Sequence, residues 1–175
     1  ERVRAAAGRV RRGRRLGRLR AELERYFDAD AFVSGLRAQP GVSAAESEDA
    51  VIRRLGALLV AQGVIDEEYV ELTIERERMS STAFTDALAV PHALRMTASR
   101  TAIAIGIAEP SIPWGEGRVQ VVALVAFSEG DREAFQTVFE QLVEVFSERE
   151  SVQRIVRRAT DFAGFLDELV AVVDA

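Results

Sequence analysis

The chain reads as an α/β protein in which helices cover both faces of a sheet. Three observations predict this. Two segments with helical periodicity precede a group of strand-like runs, and three more helical segments follow it. One of those runs, 119–127, is almost continuously apolar, as a central strand covered on both faces must be. The chain has 175 residues and 48% apolar content, enough for one full core plus an extension.

Taken in order, residues 1–27 predict a basic helix, with Leu16, Leu19, Leu23 and Phe27 at helical spacing and arginines on the other faces. Gly8, Gly13 and Gly17 weaken it. An arginine-rich arm can bind nucleic acid or serve as a solvated linker helix. The lack of aromatics among the arginines favours the linker. Residues 28–45 read as a connection, punctuated by Asp28, Asp30, Gly35, Pro40 and Gly41. A helix follows over 45–62, with Ser43 and Glu46 as a capping box, Gly63 just past its end, and Val51, Leu55, Leu58 and Leu59 inward. Asp66 caps a second helix over 67–78, with Tyr69, Val70 and Ile74 inward.

The strands come next. Residues 87–90 form a short apolar run. In 101–108, Ile103, Ile105 and Ile107 alternate with small residues at strand period. Residues 109–115 read as a loop or edge segment, and 119–127 as the central strand. Three helices close the chain. The first runs over 133–146 with Phe135, Val138, Phe139, Leu142, Val145 and Phe146 inward. The second is short and opens on a capping box of Ser147 and Glu150, and Asp161 caps the last. The expected division is a basic helical extension over 1–44 and one domain over 45–175.

Composition excludes several chemistries. There is no cysteine and a single histidine, so disulfides, thiol catalysis and a transition-metal site are not expected, and no cofactor motif is seen. All 23 basic residues are arginine, which removes Schiff-base chemistry and a P-loop lysine. No apolar run reaches the roughly 18 residues needed to span a bilayer, and no signal peptide is seen. A cytoplasmic protein without membrane insertion is expected. The net charge of −5 is uneven: residues 1–25 hold ten arginines and three glutamates, while the remainder is strongly acidic. The first residue is glutamate, which suggests a piece of a longer chain.

The lone histidine, His92, follows Leu88-Ala89-Val90-Pro91. A lone histidine is often only structural. This one closes an apolar strand, where α/β sheets gather ligands, and follows a proline that stiffens its placement. Arg76, Arg78, Arg95, Ser80, Ser81 and Thr82 lie near it in sequence. Imidazole, hydroxyls and guanidinium groups without metal ligands suggest anion handling. No G-x-S-x-G elbow occurs. General base catalysis remains open. Direct attack of the imidazole on a phosphoryl donor needs only a neutral ring nitrogen in line and a cation nearby.

Residues 45–173 resemble the enzyme IIA domain of the fructose/mannitol type in the bacterial phosphoenolpyruvate-dependent sugar phosphotransferase system. The resemblance rests on Gly63-Val64-Ile65-Asp66-Glu67-Glu68-Tyr69-Val70, Arg76-Glu77 with Ser81-Thr82 behind it, Leu88-Ala89-Val90-Pro91-His92, the sixteen-residue spacing from Arg76 to His92, and Ile112-Pro113-Trp114. It implies a mixed sheet, phosphorylation of His92 by the phosphorylated histidine phosphocarrier protein, a phosphoryl-steadying role for Arg76 and a supporting hydrogen bond from Thr82. It also implies a B component of a sugar permease as an onward partner. Trp114 reads as a packing residue.

Two departures stand out. Transport-competent relatives carry a second active-site histidine at the start of the helix after the central strand. Here that stretch reads Asp131-Arg132-Glu133-Ala134-Phe135-Gln136. Ala93 stands where glycine is frequent. Leu23 to Phe32 resembles, more loosely, the segment before such a domain in modular transcription regulators and antiterminators. Contact with nucleic acid would then come through upstream domains. Three roles follow: a regulatory module, favoured by the basic extension and the absent second histidine; a phosphoryl carrier in sugar uptake; and a binding domain that kept the fold and lost turnover, against which the intact Arg76 to His92 spacing argues.

Overall fold

Capping side chains set the starts of three of the described helices. In the computed structural model, which describes residues 2–174 without the side chains of 2–7, 12, 15, 16 and 19, α1 spans Arg2–Glu24 and β1 spans Phe27–Leu36. Helix α2 (Ala44–Ala61) carries the expected capping box: Ser43 Oγ accepts from Glu46 N, and Glu46 reaches back to Ser43 N. Gly63, just past its end, has φ +70, a conformation that favours glycine. Helix α3 (Glu67–Met79) is capped by Asp66, which accepts from Tyr69 N at 2.8 Å. The strands β2 (Leu88–Ala89), β3 (Thr97–Trp114) and β4 (Gly117–Ser128) follow. A short 3-10 turn then leads to α4 (Arg132–Ser147), α5 (Arg149–Arg158) and α6 (Phe162–Asp174). No described helix is long and apolar enough to cross a membrane.

The sheet is mixed, in the order β1-β3-β4-β2. β1 runs parallel to β3, β3 antiparallel to β4, and β2 parallel to β4. Side-chain alternation sends each strand's residues to two cores. Ile103, Ile105, Ile107, Val121, Ala123 and Val125 face the aromatic-rich layer of α4, α5 and α6. Ala102, Ala104, Ala108, Val122, Leu124 and Ala126 face α2 and α3. Small residues on this second face of β3 let α2 lie close. At Gly106 an added Cβ would sit 2.3 Å from Leu36 Cδ1, and Leu36 is itself buried.

Two expectations are corrected and a third is narrowed. Residues 28–45 are not simply a connection: 27–36 form an edge strand in the same sheet. An edge strand hydrogen-bonds on one side only, so Asp28, Asp30 and Gly35 are tolerated there and disguise it as a loop. Of the loop and edge readings of 109–115, the edge reading holds for 109–114, which continue β3 beyond its pairing with β1 to a hairpin turn at Gly115 (φ +56). The register passes from Ile107↔Val121 to Ile112↔Val119, so a bulge takes up the proline-bearing stretch. The Ser147–Glu150 capping box is absent. Ser147 is the last residue of α4 and donates its hydroxyl to Val143 O at 2.6 Å, while Glu148 takes the N-cap position of α5.

Helix α1 ends before Phe27, which starts β1 instead of completing the apolar stripe. Leu23 is buried, whereas the side chains of Leu16 and Leu19 lie outside the described residues. Arg20 ties the helix to α6 through both terminal guanidinium nitrogens, which donate to Asp167 Oδ1 at 2.7 and 2.8 Å.

The junction of α5 and α6 admits no side chain at position 164. A Cβ there would lie 2.2 Å from the Arg158 carbonyl oxygen, and the Gly164 N–H donates to Asp161 Oδ1 at 2.7 Å. Gly164→Ala is expected to push α6 off α5 and to cost about 1–3 kcal/mol in urea unfolding. An unchanged midpoint would contradict this packing.

Candidate functional site

The imidazole of His92 is placed by main-chain pairing on both sides of it. β2 leads into Val90, whose N–H donates to Thr82 O at 3.0 Å. Pro91 O accepts the Val125 N–H at 3.0 Å, and His92 forms a parallel bridge to Val125. The residue therefore sits beside the C-terminal half of β4. It is half-buried, with its ring edge-on to Phe127 at 6.0 Å between centroids.

His92 Nδ1 lies 2.8 Å from Val90 O. A carbonyl oxygen only accepts, so the neutral ring carries its proton on Nδ1. The lone pair is then on Nε2, and no described residue hydrogen-bonds to that atom. A half-buried imidazole held in this way can present that lone pair to an electrophile.

Behind it lies a buried carboxylate. Glu77 is 5% exposed and accepts three hydrogen bonds. Thr82 N donates to Oε1 at 2.8 Å, Trp114 Nε1 to the same oxygen at 2.7 Å, and Thr82 Oγ1 to Oε2 at 2.6 Å. Thr82 is thereby fixed, and its carbonyl holds Val90, whose own carbonyl holds the imidazole. Trp114 is fully buried, in keeping with a packing residue. A second support is Tyr69. Its hydroxyl donates to Val125 O and accepts from Phe127 N, both at 3.2 Å. Burial pushes the Tyr69 phenol up from its ordinary value, partly offset by the main-chain N–H groups of Phe127 and Ala93. The hydroxyl so braces the C-terminal half of β4, the stretch to which His92 is bridged.

Sequence reasoning named His92, Arg76 and Thr82. His92 and Thr82 are linked through Val90, as above. Arg76, half-buried near the end of α3, donates from Nη1 to Ser80 O at 2.9 Å. This contact anchors its guanidinium at the start of the Ser80–Thr82 loop and leaves its other donors free. The roles of Glu77 and Tyr69 were not anticipated. A signal existed: Tyr69, Thr73 and Glu77 fall at steps of four on α3, and all three are buried. A carboxylate on an inward stripe needs buried donors.

The first turn of α4 begins where Asp131 Oδ2 accepts the Thr101 N–H at 3.2 Å. Its Phe135 packs edge-on against Phe127 at 5.2 Å. Phe127 thus links the first turn of α4 to the imidazole through two edge-on ring contacts.

A further carboxylate lies next to Glu77. Glu48 accepts the Gly115 N–H at 2.5 Å. Partial burial pushes its carboxyl up from the ordinary value of 4.5, the Gly115 bond pulls it down in part, and the charges of Glu77 and Asp49 push it up again. A raised carboxyl favours the fold only while protonated. Its contribution is complete below the unfolded value and is lost as pH rises through the raised folded value. Glu48→Gln keeps an acceptor for Gly115 without that loss. The melting temperature of the variant should gain on the parent between pH 4 and pH 7, and a constant difference would contradict the assignment.

Residues 42–170 match the model of the phosphoenolpyruvate-dependent sugar phosphotransferase system, EIIA 2, family. The transcriptional regulator ManR of Bacillus subtilis (strain 168) is 28% identical over 71% of this chain, which spans 19% of the regulator. The probable licABCH operon regulator of the same strain is 29% identical over 63% of this chain, which spans 17% of it. The mannitol-specific phosphotransferase enzyme IIA component of Halalkalibacterium halodurans is 27% identical over 71% of this chain and 88% of its own length. The chain thus spans about a fifth of the two regulators and most of the free-standing component. Among solved structures, the complex of mannitol enzyme IIA with phosphorylated enzyme IIB from Escherichia coli superposes with a TM-score of 0.66 at 20% identity, over 83% of this chain and 99% of that one. The crystal structure of Escherichia coli mannitol IIA gives 0.65 at 20% identity, over 81% and 97%. These neighbours share the fold. The family match covers well over half of the sequence, and the chain belongs to the phosphoenolpyruvate-dependent sugar phosphotransferase system EIIA 2 family.

Proposed function

We propose that His92 accepts a phosphoryl group on Nε2 from the phosphorylated histidine phosphocarrier protein, and that this phosphorylation serves mainly to regulate a sugar-responsive transcription regulator in the cytoplasm. The observation that carries the reading is the Nδ1–Val90 O contact of 2.8 Å, which leaves the Nε2 lone pair for attack. In the step, Nε2 attacks phosphorus as the P–N bond of the donor phosphohistidine breaks. The donor imidazole leaves with the bonding pair, and a new P–N bond forms on His92. The Nδ1 proton stays shared with Val90 O, which offsets charge building on the ring. Arg76, anchored by Ser80, turns its free donors to the phosphoryl oxygens. Thr82 supports the site through its bond to Glu77 and its hold on Val90.

Regulation is favoured by the regulator relatives and by the start of α4, where no second histidine stands. The carrier reading is supported by the mannitol component among the relatives. A chase separates them. The chain is labelled with phosphoenolpyruvate, enzyme I and the phosphocarrier protein, then mixed with a mannitol-type B component. One acid-labile phosphoryl group per chain, retained through the chase, is the expected result. Rapid and complete loss of label to the B component would favour the carrier role, and failure to label would overturn both.

A further inference from the structure

A cleft lies at the other end of the sheet. A cavity of about 750 Å³ opens where the residues leading into β2, the first residues of β4 and the α4–α5 junction meet. It is bordered by Phe84, Arg118, Gln120, Arg149 and Gln153. Small-molecule clefts typically run from about 300 to 1,000 Å³. Gln120 lies five residues before Val125 on β4, so roughly 17 Å of extended strand separates the floor of this cleft from the His92 bridge. A ligand here would not touch the imidazole, and the site is independent of the phosphorylation proposed above.

The lining combines two kinds of group. Arg118 is held in place by Ser111: its Nε donates to Ser111 Oγ at 2.9 Å and one Nη to Ser111 O at 2.6 Å. The other Nη remains available. Arg149 has no hydrogen bond or ion pair among the described residues. Two guanidinium groups face one carboxylate, Asp86, so the cleft carries a net positive charge. The floor is an amide pair, Gln153 Nε2 donating to Gln120 Oε1 at 3.1 Å, which leaves the Gln120 amide N–H groups and the Gln153 carbonyl to serve a ligand. Phe84 is 53% exposed at the rim and is held edge-on by Phe139 at 5.7 Å. A preset guanidinium fork suits a phosphate dianion. Amides and a carboxylate suit neighbouring hydroxyls. A fixed, exposed aromatic face suits an apolar C–H surface.

We propose that this cleft binds a small phosphorylated sugar, its phosphate between Arg118 and Arg149 and its hydroxyls on Gln120, Gln153 and Asp86. Such a ligand would give the domain a chemical input apart from His92.

The test is calorimetric titration of the 175-residue chain with glucose 6-phosphate, glucose and inorganic phosphate, followed by amide spectra of Gln120 and Gln153. Glucose 6-phosphate should bind saturably at one site and perturb both side-chain amides. It should bind about tenfold more tightly than either fragment. Arg149→Gln should weaken binding by about tenfold or more while leaving phosphorylation of His92 unchanged. Absence of saturable binding would overturn the proposal. So would binding that Arg149→Gln does not affect, or inorganic phosphate binding as tightly as glucose 6-phosphate.

Discussion

Replacing His92 with alanine is expected to reduce phosphorylation by the phosphocarrier protein to background while leaving the fold intact. No other histidine exists in the chain, and there is no cysteine or lysine to take over as a nitrogen or sulfur nucleophile. The substitution removes one hydrogen bond to Val90 O and an edge-on ring packing against Phe127. Together they amount to about 1–2 kcal/mol, well within the stability of a domain of this size. Helical circular dichroism and the urea midpoint of the variant should therefore stay close to those of the parent. Labelling that persists in His92→Ala would place the acceptor elsewhere.

Glu77 is the position where a single truncation should damage both stability and the site. In Glu77→Ala, the Thr82 N–H, the Thr82 hydroxyl and the Trp114 indole N–H all lose their acceptor, in a region where Thr82 is 2% exposed and Trp114 fully buried. A buried donor left unpaired costs about 1–3 kcal/mol. Allowing for relaxation, the variant should lose about 3–6 kcal/mol, a large part of a typical domain's total. The damage should also reach the imidazole, because Thr82 O holds Val90 N, and Val90 O orients His92. Glu77→Gln provides the control. Oε1 accepts both the Thr82 and Trp114 N–H groups, so an amide oxygen placed there keeps both bonds. At the other position the amide N–H₂ would face the Thr82 hydroxyl, which can rotate to accept. The glutamine variant should therefore lose about 1 kcal/mol or less and keep most of its labelling rate. Equal losses in both variants would mean that the charge, and not the hydrogen-bond geometry, is what matters.

Much of the fold is legible in the sequence because its signals are local. Ser43 with Glu46, Asp66 and Asp161 announce helix starts within four residues, and the alternation of Ile103, Ile105 and Ile107 needs no partner to be recognised. What escapes depends on partners distant in the chain. β1 is a strand only because β3 accepts it, some seventy residues later. The stretch at 109–114 is a strand only because β4 turns back along it. Ser147 resembles a helix cap locally, but its hydroxyl bonds backward to Val143 and prolongs α4.

The candidate site divides in the same way. His92 stands out as a lone imidazole after a proline, and Arg76 and Thr82 stand out only through the family resemblance. Glu77 looks like one acid in a charged run until Trp114, 37 positions on, is seen to point its indole N–H at it. Tyr69 looks like a core residue until Val125 and Phe127 are seen on its hydroxyl. The proton on Nδ1 is set by a carbonyl two residues away, and only the three-dimensional turn at Pro91 reveals it.

That proton leads to the most direct measurement. The chain, labelled with ¹⁵N in its one histidine, is phosphorylated by phosphoenolpyruvate, enzyme I and the phosphocarrier protein. Long-range proton–nitrogen spectra of the ring are then recorded. The phosphoryl group should be found on Nε2, with Nδ1 still protonated and bonded to Val90 O. A phosphoryl group on Nδ1, or an unmodified ring in a chain that carries label, would contradict the account.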